Sequence, residues 1–243
     1  MLKVEKLRKV FHDRHGEEIV AVNDLSFECK GNEIIGVLGM NGAGKSTTLR
    51  MLSTVISPTS GQITLNGEDM IENAESIRNS IGLLTGTTGL YRKLTARETL
   101  YFFADLHGMK KSDTKVKIDE LVELLDMHEI IDRKCEKLST GQKQKVSIAR
   151  TIIHDPTLLI LDEATTGLDV VATQAIVSFI RHVKSPSKAI LFCTHRMEEV
   201  HQLCDRILIL HQGKKLALGT VEEVCQQFDC KDLGEIFSRF DQN

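Results

Sequence analysis

Short apolar runs separated by turn residues mark the early and the late part of the chain. Residues 34–38 are continuously apolar after the turn at Gly31 and Asn32, which predicts a buried strand that leads directly into Gly39. An earlier strand begins near Val20. The same pattern predicts further strands at residues 62–66, 80–84, 158–161, 189–193 and 206–210. Because helical stretches separate the later strands, we expect a mostly parallel sheet flanked by helices.

A block of helical periodicity lies between these strands. Thr95 and Glu98 match a capping box that opens one helix, and residues 112–127 predict a second, amphipathic helix. A third helix is expected after Ser139. The block is therefore an insertion between strands. Residues 221–240 also have helical periodicity, and they carry no recognisable chemistry.

The length of the chain favours one compact α/β unit, and its charge bears on the partners it can bind. The chain has 243 residues, and its 31 Lys and Arg against 34 Asp and Glu give a formal net charge of −3. This balance offers no general attraction to nucleic acid or anionic lipid. No secretory signal is evident, and no segment has the roughly 18 apolar residues of a membrane-spanning helix, so a soluble protein is expected. The six cysteines have no metal-binding spacing and are expected to be free thiols, without disulfide or zinc.

The strongest chemical signal is a glycine-rich segment between the buried strand and a helical run. Residues 39–46, Gly-Met-Asn-Gly-Ala-Gly-Lys-Ser, fit the P-loop pattern G-x-x-x-x-G-K-S/T. Backbone N–H groups would face phosphate oxygens, Lys45 would contact the β- and γ-phosphates, and the Ser46 hydroxyl would bind Mg²⁺. The residues predicted to hold the phosphates are Gly39, Asn41, Gly42, Ala43, Gly44, Lys45, Ser46 and Thr47.

An acidic pair follows the strand at residues 158–161. Asp162 is placed to hold Mg²⁺ through a water molecule, and Glu163 is suited to accept a proton from an attacking water. Acidic residues after a strand are common, so the pair is informative only together with Lys45. The combination predicts hydrolysis of a nucleoside triphosphate with Lys45 and Glu163 as catalytic residues.

A third motif stands between these two sites. Residues 138–142, Leu-Ser-Thr-Gly-Gln, resemble the signature motif of the ABC ATPases, usually L-S-G-G-Q. Alone it would be an ordinary helix cap, but its place between P-loop and acidic pair favours the functional interpretation. In that family the motif opens a helix, and the resemblance implies that Ser139, Gly141 and Gln142 meet the γ-phosphate held by the other subunit's P-loop.

Further matches follow in the family's chain order. Residues 167–169 resemble the D-loop of the dimer interface, and His195 resembles the switch histidine that senses the γ-phosphate, so the resemblance assigns it a catalytic role. A histidine at a strand end otherwise only satisfies a backbone carbonyl. Phe11 resembles the aromatic residue that stacks on adenine, although a Phe in an N-terminal strand could equally belong to the core. The resemblance covers residues 2–219.

The family resemblance implies a fold, two ligands and two partners. It implies an α/β fold, with a P-loop NTPase core of mostly parallel sheet, an N-terminal antiparallel β part and an inserted α-helical subdomain. Within one domain over residues 1–243, the core would occupy 1–94 and 156–219, the helical subdomain 95–155 and C-terminal helices 220–243. ATP and Mg²⁺ are the implied ligands, shared between the copies of a homodimer. An integral membrane permease is the implied partner, which implies a peripheral location on the cytoplasmic face of the cell membrane.

Two positions depart from the family's motifs. Thr140 replaces the first glycine of the signature and adds a β-branched side chain near the docking phosphate, which could slow closure. The Q-loop glutamine is absent, and Gly86 occupies its place. The hydroxyl of Thr85, Thr87 or Thr88 could replace its contact with magnesium or water.

The transported substrate is less well determined than the activity. Residues 85–98 resemble the bacterial sodium-extrusion branch of the family, which implies a sodium exporter, and export of a drug or lipid-like substrate is the alternative. A permease helix could dock beside residues 95–107, where Leu90, Tyr91, Phe102 and Phe103 would either receive it or belong to the core.

Two other classes compete with a transport subunit. A soluble ABC ATPase acting on nucleic acid or ribosomes is disfavoured, because the chain has one cassette, no long heptad insertion and a slightly acidic balance. A GTPase would need an N-K-x-D motif, which the sequence lacks. No nucleic-acid partner is therefore expected.

Overall fold

The computed structural model describes residues 1–86 and 89–240, so Thr87 and Thr88 lie outside the described residues. The strands are β1 (Leu2–His12), β2 (Glu18–Cys29), β3 (Glu33–Leu38), β4 (Ser60–Leu65), β5 (Glu68–Asp69), β6 (Ile81–Leu84), β7 (Leu158–Asp162), β8 (Ala189–Cys193), β9 (Arg206–His211) and β10 (Lys214–Gly219). The helices are α1 (Lys45–Leu52), α2 (Ala74–Ile77), α3 (Ala96–Leu106), α4 (Lys111–Leu124), α5 (Thr140–Ile152), α6 (Val170–Val183), α7 (Met197–Leu203), α8 (Val221–Gln227) and α9 (Leu233–Phe240).

A six-stranded sheet forms the centre of the molecule, in the order β10-β9-β3-β8-β7-β6. All of its neighbouring strands are parallel except the β9–β10 pair, which is antiparallel. Every residue of β3 and of β8 is buried, as strands covered on both faces should be. The predicted mostly parallel sheet is thus confirmed.

The two faces of this sheet are covered by different elements. Alternate side chains of β7 point to opposite faces, so Leu158 and Ile160 belong to one hydrophobic cluster and Leu159 and Leu161 to another. The first face packs against α1 and against an antiparallel sheet of order β2-β1-β4-β5. The second face packs against α3, α4, α5 and α6. The predicted antiparallel part at the N-terminus is therefore present.

The helical insertion lies between β6 and β7, as the sequence predicts. Thr95 caps α3, and its hydroxyl accepts a hydrogen bond from the Glu98 backbone N–H while the Glu98 carboxylate accepts one from the Thr95 N–H. Residues 221–240 form two helices rather than one run, because Asp229 adopts a left-handed backbone with φ 47° between them. The boundaries of the helical subdomain and of the C-terminal part stay predictions. In the described parts of the chain, no helix is both long enough and apolar enough to cross a membrane.

Asp205 anchors the start of β3 to the start of β9. Its carboxylate accepts a hydrogen bond of 2.7 Å from the Ile34 N–H and another of 2.7 Å from the Lys184 ammonium. Its own backbone N–H donates to the Ile34 carbonyl at 2.9 Å. The side chain therefore satisfies a backbone donor at the edge of the core.

We expect Asp205→Ala to lower the free energy of unfolding by about 1–3 kcal/mol, because the Ile34 N–H loses its acceptor. Urea unfolding followed by circular dichroism measures this. The control is Asp132→Ala, which removes an exposed ion pair with Arg97 and should cost less than about 1 kcal/mol. Equal losses in the two variants would contradict the anchoring role.

Candidate active site

The P-loop turns sharply between β3 and α1, and two of its glycines have no room for a side chain. Gly39 has φ 151°, and a Cβ there would lie 2.4 Å from the Leu210 carbonyl oxygen. Gly44 has φ 96°, and a Cβ there would lie 2.6 Å from the Ala21 carbonyl oxygen. The neighbouring strands thus close on the loop, which fixes the direction in which its backbone N–H groups point.

The first turn of α1 has no side-chain cap. Gly44 occupies the N-cap position, and no acidic residue stands in the first turn. The backbone N–H groups there, together with the helix dipole, are therefore suited to an anion. Ser46 is exposed and Thr47 half-buried at this end of the helix, so that the Ser46 hydroxyl can reach a ligand.

Lys45 reaches back across the loop. Its ammonium donates hydrogen bonds to the carbonyl oxygens of Gly39 at 2.5 Å and Met40 at 2.9 Å. The positive charge is thereby held where phosphate oxygens of a ligand on the loop would lie.

A cavity of about 490 Å³ joins the P-loop to the carboxyl ends of β7 and β8. It brings together the predicted residues Lys45, Glu163 and His195. Its lining is Gly39, Met40, Asn41, Lys45, Glu163, Cys193, Thr194 and His195. Three residues far apart in sequence thus face one space large enough for the phosphates of a nucleotide.

Glu163 projects into this cavity from a strained backbone. It has φ 53°, in the left-handed region, and its N–H donates to the Cys193 carbonyl oxygen at 2.9 Å. Its side chain is 49% exposed, and its Oε1 lies 3.8 Å from the Nδ1 of His195. This geometry leaves the carboxylate accessible to a water molecule from the cavity.

The side chain of Asp162 is more buried than that of Glu163. Burial is the main cause that raises the pKa of its carboxyl group, and the Glu163 charge adds to this, while a hydrogen bond from the Cys193 thiol and the Lys45 charge oppose it. Burial of Cys193, with the charge of Asp162, likewise raises the pKa of the Cys193 thiol. A half-buried carboxylate near a second carboxylate is stabilised by a cation.

The donor set fits Mg²⁺ bound together with a nucleotide. Among the described residues no group of three His, Cys, Asp or Glu side chains could hold a metal ion alone. Mg²⁺ normally takes one or two protein oxygen ligands and completes its shell with water and phosphate oxygens. The Ser46 hydroxyl and the Asp162 carboxylate are the protein oxygens that would hold it.

The signature residues face a different cavity. Ser139, Thr140, Gly141 and Gln142 line a space of about 800 Å³ together with residues 167–169. Ser139 caps α5: its hydroxyl accepts from the Gln142 N–H at 3.2 Å, and its own N–H donates to the Gln142 Oε1 at 3.0 Å. The hydroxyl hydrogen is not used in this box and can be donated to a phosphate.

One hydrogen bond connects α5 to the segment that follows Glu163. The Gln144 amide donates a 2.6 Å hydrogen bond to the carbonyl of Ala164, the residue after Glu163. Thr140 is exposed at the first position of α5 and faces the signature cavity, so its extra methyl group is accommodated within one protomer. Any effect of this residue must arise when a ligand docks.

Phe11 lies on the surface of the antiparallel sheet. Its side chain is 40% exposed, and the Lys9 ammonium lies 5.1 Å from the ring centroid. Its partner across the hairpin is Ile19, which is also exposed. The alternative that Phe11 belongs to the hydrophobic core is therefore wrong. The same hairpin also contains Ala21, whose carbonyl oxygen lies close to Gly44 of the P-loop.

Gly86 lies beside the candidate general base. A Cβ at this position would lie 3.8 Å from both the Cβ and the Oε2 of Glu163, which is an ordinary van der Waals distance. The position of the missing Q-loop glutamine is thus next to the reacting centre. Of the threonines considered as its substitute, only Thr85 lies among the described residues.

The sequence did not indicate four residues that shape the site. Met40 and Thr194 line the phosphate cavity, Cys193 contacts Asp162, and Gln144 joins α5 to the segment after Glu163. The Thr194 hydroxyl donates to Glu199 at 2.7 Å and so fixes the loop that carries His195. Only the place of Thr194 directly before His195 could have drawn attention to it.

Three features define an ATP-binding cassette: a P-loop after β3, an acidic pair at the carboxyl end of β7, and a signature helix on an inserted helical block. Comparison with known proteins agrees: a family model described as ABC transporter matches residues 22–166. The chain therefore belongs to the ABC transporter family, as an ATP-binding and ATP-hydrolysing subunit that uses ATP and Mg²⁺.

The relatives cover nearly the whole chain. It is 37% identical to the ABC transporter ATP-binding protein NatA of Bacillus subtilis (strain 168), over 98% of this chain and 96% of the relative. It is 37% identical to the Nod factor export ATP-binding protein I of Burkholderia orbicola (strain AU 1054), over 92% of this chain and 73% of the relative.

A solved ATP-binding subunit of an ABC transporter has a TM-score of 0.88 at 28% identity and covers 99% of each chain. A dimeric ATP-binding cassette in a post-hydrolysis state, bound to ADP and Pi, has a TM-score of 0.81 at 23% identity, covers 90% of this chain and 98% of its own, and shares the fold.

We expect Glu163→Gln to lower the ATP hydrolysis rate by about 10²–10⁴, the usual contribution of a general base, while ATP binding is retained. Phosphate release and equilibrium binding of ATP measure the two properties. Glu129→Gln, at an exposed position of the helical block, is the matched control and should hydrolyse ATP normally. Parental turnover in Glu163→Gln would exclude Glu163 as the base.

Gly86→Gln tests whether the missing amide matters. The space beside Glu163 admits a side chain, and a new oxygen ligand or water contact would contribute roughly 0.5–1.5 kcal/mol, so the half-saturating Mg²⁺ concentration for ATP hydrolysis should fall about two- to tenfold. Gly86→Leu has similar bulk without the amide and should not show this fall. If both variants shift the Mg²⁺ requirement alike, the effect is steric.

Proposed function

We propose that two copies of this chain sandwich two ATP molecules and drive a membrane permease that exports sodium ions. Phosphate-binding and signature residues face different cavities in one protomer, and this observation carries the proposal. A second copy can complete each site by placing its Ser139 and α5 N-terminus opposite the first copy's P-loop. Each nucleotide then needs both protomers.

The surface beside the signature is suited to such a contact. Val170 and Val171, the first residues of α6, are 73% and 80% exposed, directly after Asp169 in the D-loop segment. Two adjacent apolar side chains at the rim of the signature cavity would be covered when a second copy docks. The Asp169 carboxylate meanwhile caps α6 by accepting from the Ala172 N–H at 2.8 Å.

The chemistry assigns one task to each group. The P-loop N–H groups and Lys45 bind the β- and γ-phosphates and orient them, and bound Mg²⁺ would neutralise part of their charge. Glu163 accepts the proton of the attacking water, and His195, 3.8 Å away, contacts the γ-phosphate side of the cavity. Loss of that phosphate removes the bridge between protomers, so the dimer opens and can move a permease.

The permease is proposed to dock on the helical block. Tyr91 and Phe102 are exposed and meet edge to face with ring centroids 5.2 Å apart, and Phe102 also lines a groove of about 690 Å³ between α3 and α4. Leu90 and Phe103 are partly buried against the core, and the Arg150 guanidinium lies 4.8 Å from the Phe103 ring centroid. Phe103 thus packs against Phe102 from the core side, while Tyr91 and Phe102 offer the contact surface. The location on the cytoplasmic face of the membrane follows from this contact.

Sodium is proposed because residues 85–98 resemble the sodium-extrusion branch and because similarity to NatA extends over almost the entire chain. Relatives whose names state Nod factor export or linearmycin resistance make lipid-like or drug substrates the alternative.

Inverted membrane vesicles that contain the chain and its permease should take up sodium when ATP is added, because export in the cell becomes uptake in such vesicles. We expect vesicles with Glu163→Gln to show only the passive rate, and a sodium ionophore to abolish accumulation. ATP hydrolysis without sodium uptake, but with uptake of an amphipathic dye, would favour the alternative substrates.

A further inference from the structure

The end of α8 forms a turn that brings two cysteines together. The Cys230 N–H donates to the Cys225 carbonyl at 3.0 Å, and the Asp229 N–H donates to the Gln226 carbonyl at 3.2 Å. Asp229, with φ 47°, provides the left-handed residue between them. These two hydrogen bonds and the left-handed residue are the features of a Schellman motif.

In a Schellman motif the side chains at the positions of Cys225 and Cys230 touch each other, usually as an apolar contact. Here both are thiols. The Cys230 thiol donates to the Cys225 carbonyl oxygen at 3.6 Å, and both side chains pack partly buried against the cluster beneath α7, α8 and α9. Burial, with the hydrogen bond between the two thiols, raises the pKa of Cys225. The backbone turn therefore holds the sulfur atoms side by side.

We propose that Cys225 and Cys230 are a site of reversible disulfide formation, with a low-molecular-weight disulfide as the oxidant. The thiolate of one cysteine attacks the oxidant and forms a mixed disulfide, which releases one small thiol. The second cysteine then attacks the protein-bound sulfur and releases the second small thiol. The two protons lost by the cysteines end on the two released thiols, so that the protein is oxidised and the oxidant reduced.

This pair differs from the other four cysteines. Cys29, Cys135 and Cys193 are buried, and burial raises the pKa of Cys29 to about 12. Cys204 is half-buried, and burial raises its pKa to about 12 as well. Cys29, Cys135 and Cys193 are therefore closed to an oxidant, whereas Cys225 and Cys230 combine partial exposure with a partner cysteine in reach.

The disulfide would close the turn on which the last helix docks. Arg239 of α9 donates hydrogen bonds to the carbonyl oxygens of Phe228 at 2.6 Å and Asp229 at 3.0 Å, between the two cysteines. Ile236 packs into the same cluster as the cysteines. Oxidation is thus expected to fix the turn that carries the Phe228 and Asp229 carbonyl acceptors of Arg239.

The test uses the full chain with oxidised glutathione, followed by alkylation of free thiols and mass spectrometry. Trypsin releases residues 216–231 as one peptide that contains Cys225 and Cys230 and no other cysteine. We expect this peptide to lose two hydrogen atoms and to resist alkylation, and a dithiol reductant to reverse both changes. A protease that cuts before Asp229 then leaves the two halves joined only when the disulfide is present.

Two comparisons make the result specific to the folded turn. At a fixed ratio of oxidised to reduced glutathione, the disulfide-to-dithiol ratio should be on the order of tenfold higher in the folded chain than in urea. Cys225→Ser and Cys230→Ser should each retain a glutathione adduct on the remaining cysteine, whereas Cys204→Ser should still close the pair. Adducts on both cysteines of the native chain, or equal closure in folded and unfolded chains, would overturn the proposal.

Discussion

The site depends on one edge of the central sheet, where the carboxyl ends of β3, β7 and β8 meet. Because these strands are parallel neighbours, residues that follow them are brought into one cavity although they are far apart in sequence. Lys45, Glu163 and His195 each stand within a few residues of a strand end, so their positions follow from strand pairing. Every residue of β3 and β8 is buried, because the sheet is covered on both faces, and this packing holds the edge in place.

The same topology separates the signature residues from the phosphate-binding residues within one protomer. The chain forms the helical block between β6 and β7. Ser139 belongs to this block, and it lines a different cavity from that of the P-loop. Yet α5 remains tied to the segment after Glu163 through Gln144. A ligand that contacts the signature residues can therefore affect the segment of Glu163 through α5 and this one hydrogen bond.

Sequence reasoning worked best where one signal was strong and local. The P-loop glycines, the Thr95 capping box and the buried strands all follow from short patterns, and the structure contains them. The sequence patterns did not predict β10. Gly213 was the available signal for a hairpin, and in the structure Gln212 and Gly213 both have positive φ angles in the turn between β9 and β10. Contacts such as Cys193 with Asp162 could not be predicted, because they depend on the register of two strands separated by a helix.

The electrostatics of Asp162 suggest why ligand binding and closure are coupled. Burial raises its pKa above the ordinary value of an aspartate, so the folded chain binds this proton more tightly than the unfolded chain does. The free energy of unfolding therefore falls as the pH rises from the unfolded-state to the folded-state pKa of Asp162. Above that pH the folded chain carries the cost of a charged, half-buried carboxylate beside Glu163. A divalent cation bound by Asp162 together with ATP would offset this penalty. The cost of this buried charge would thus add to the free energy that favours the nucleotide-bound state.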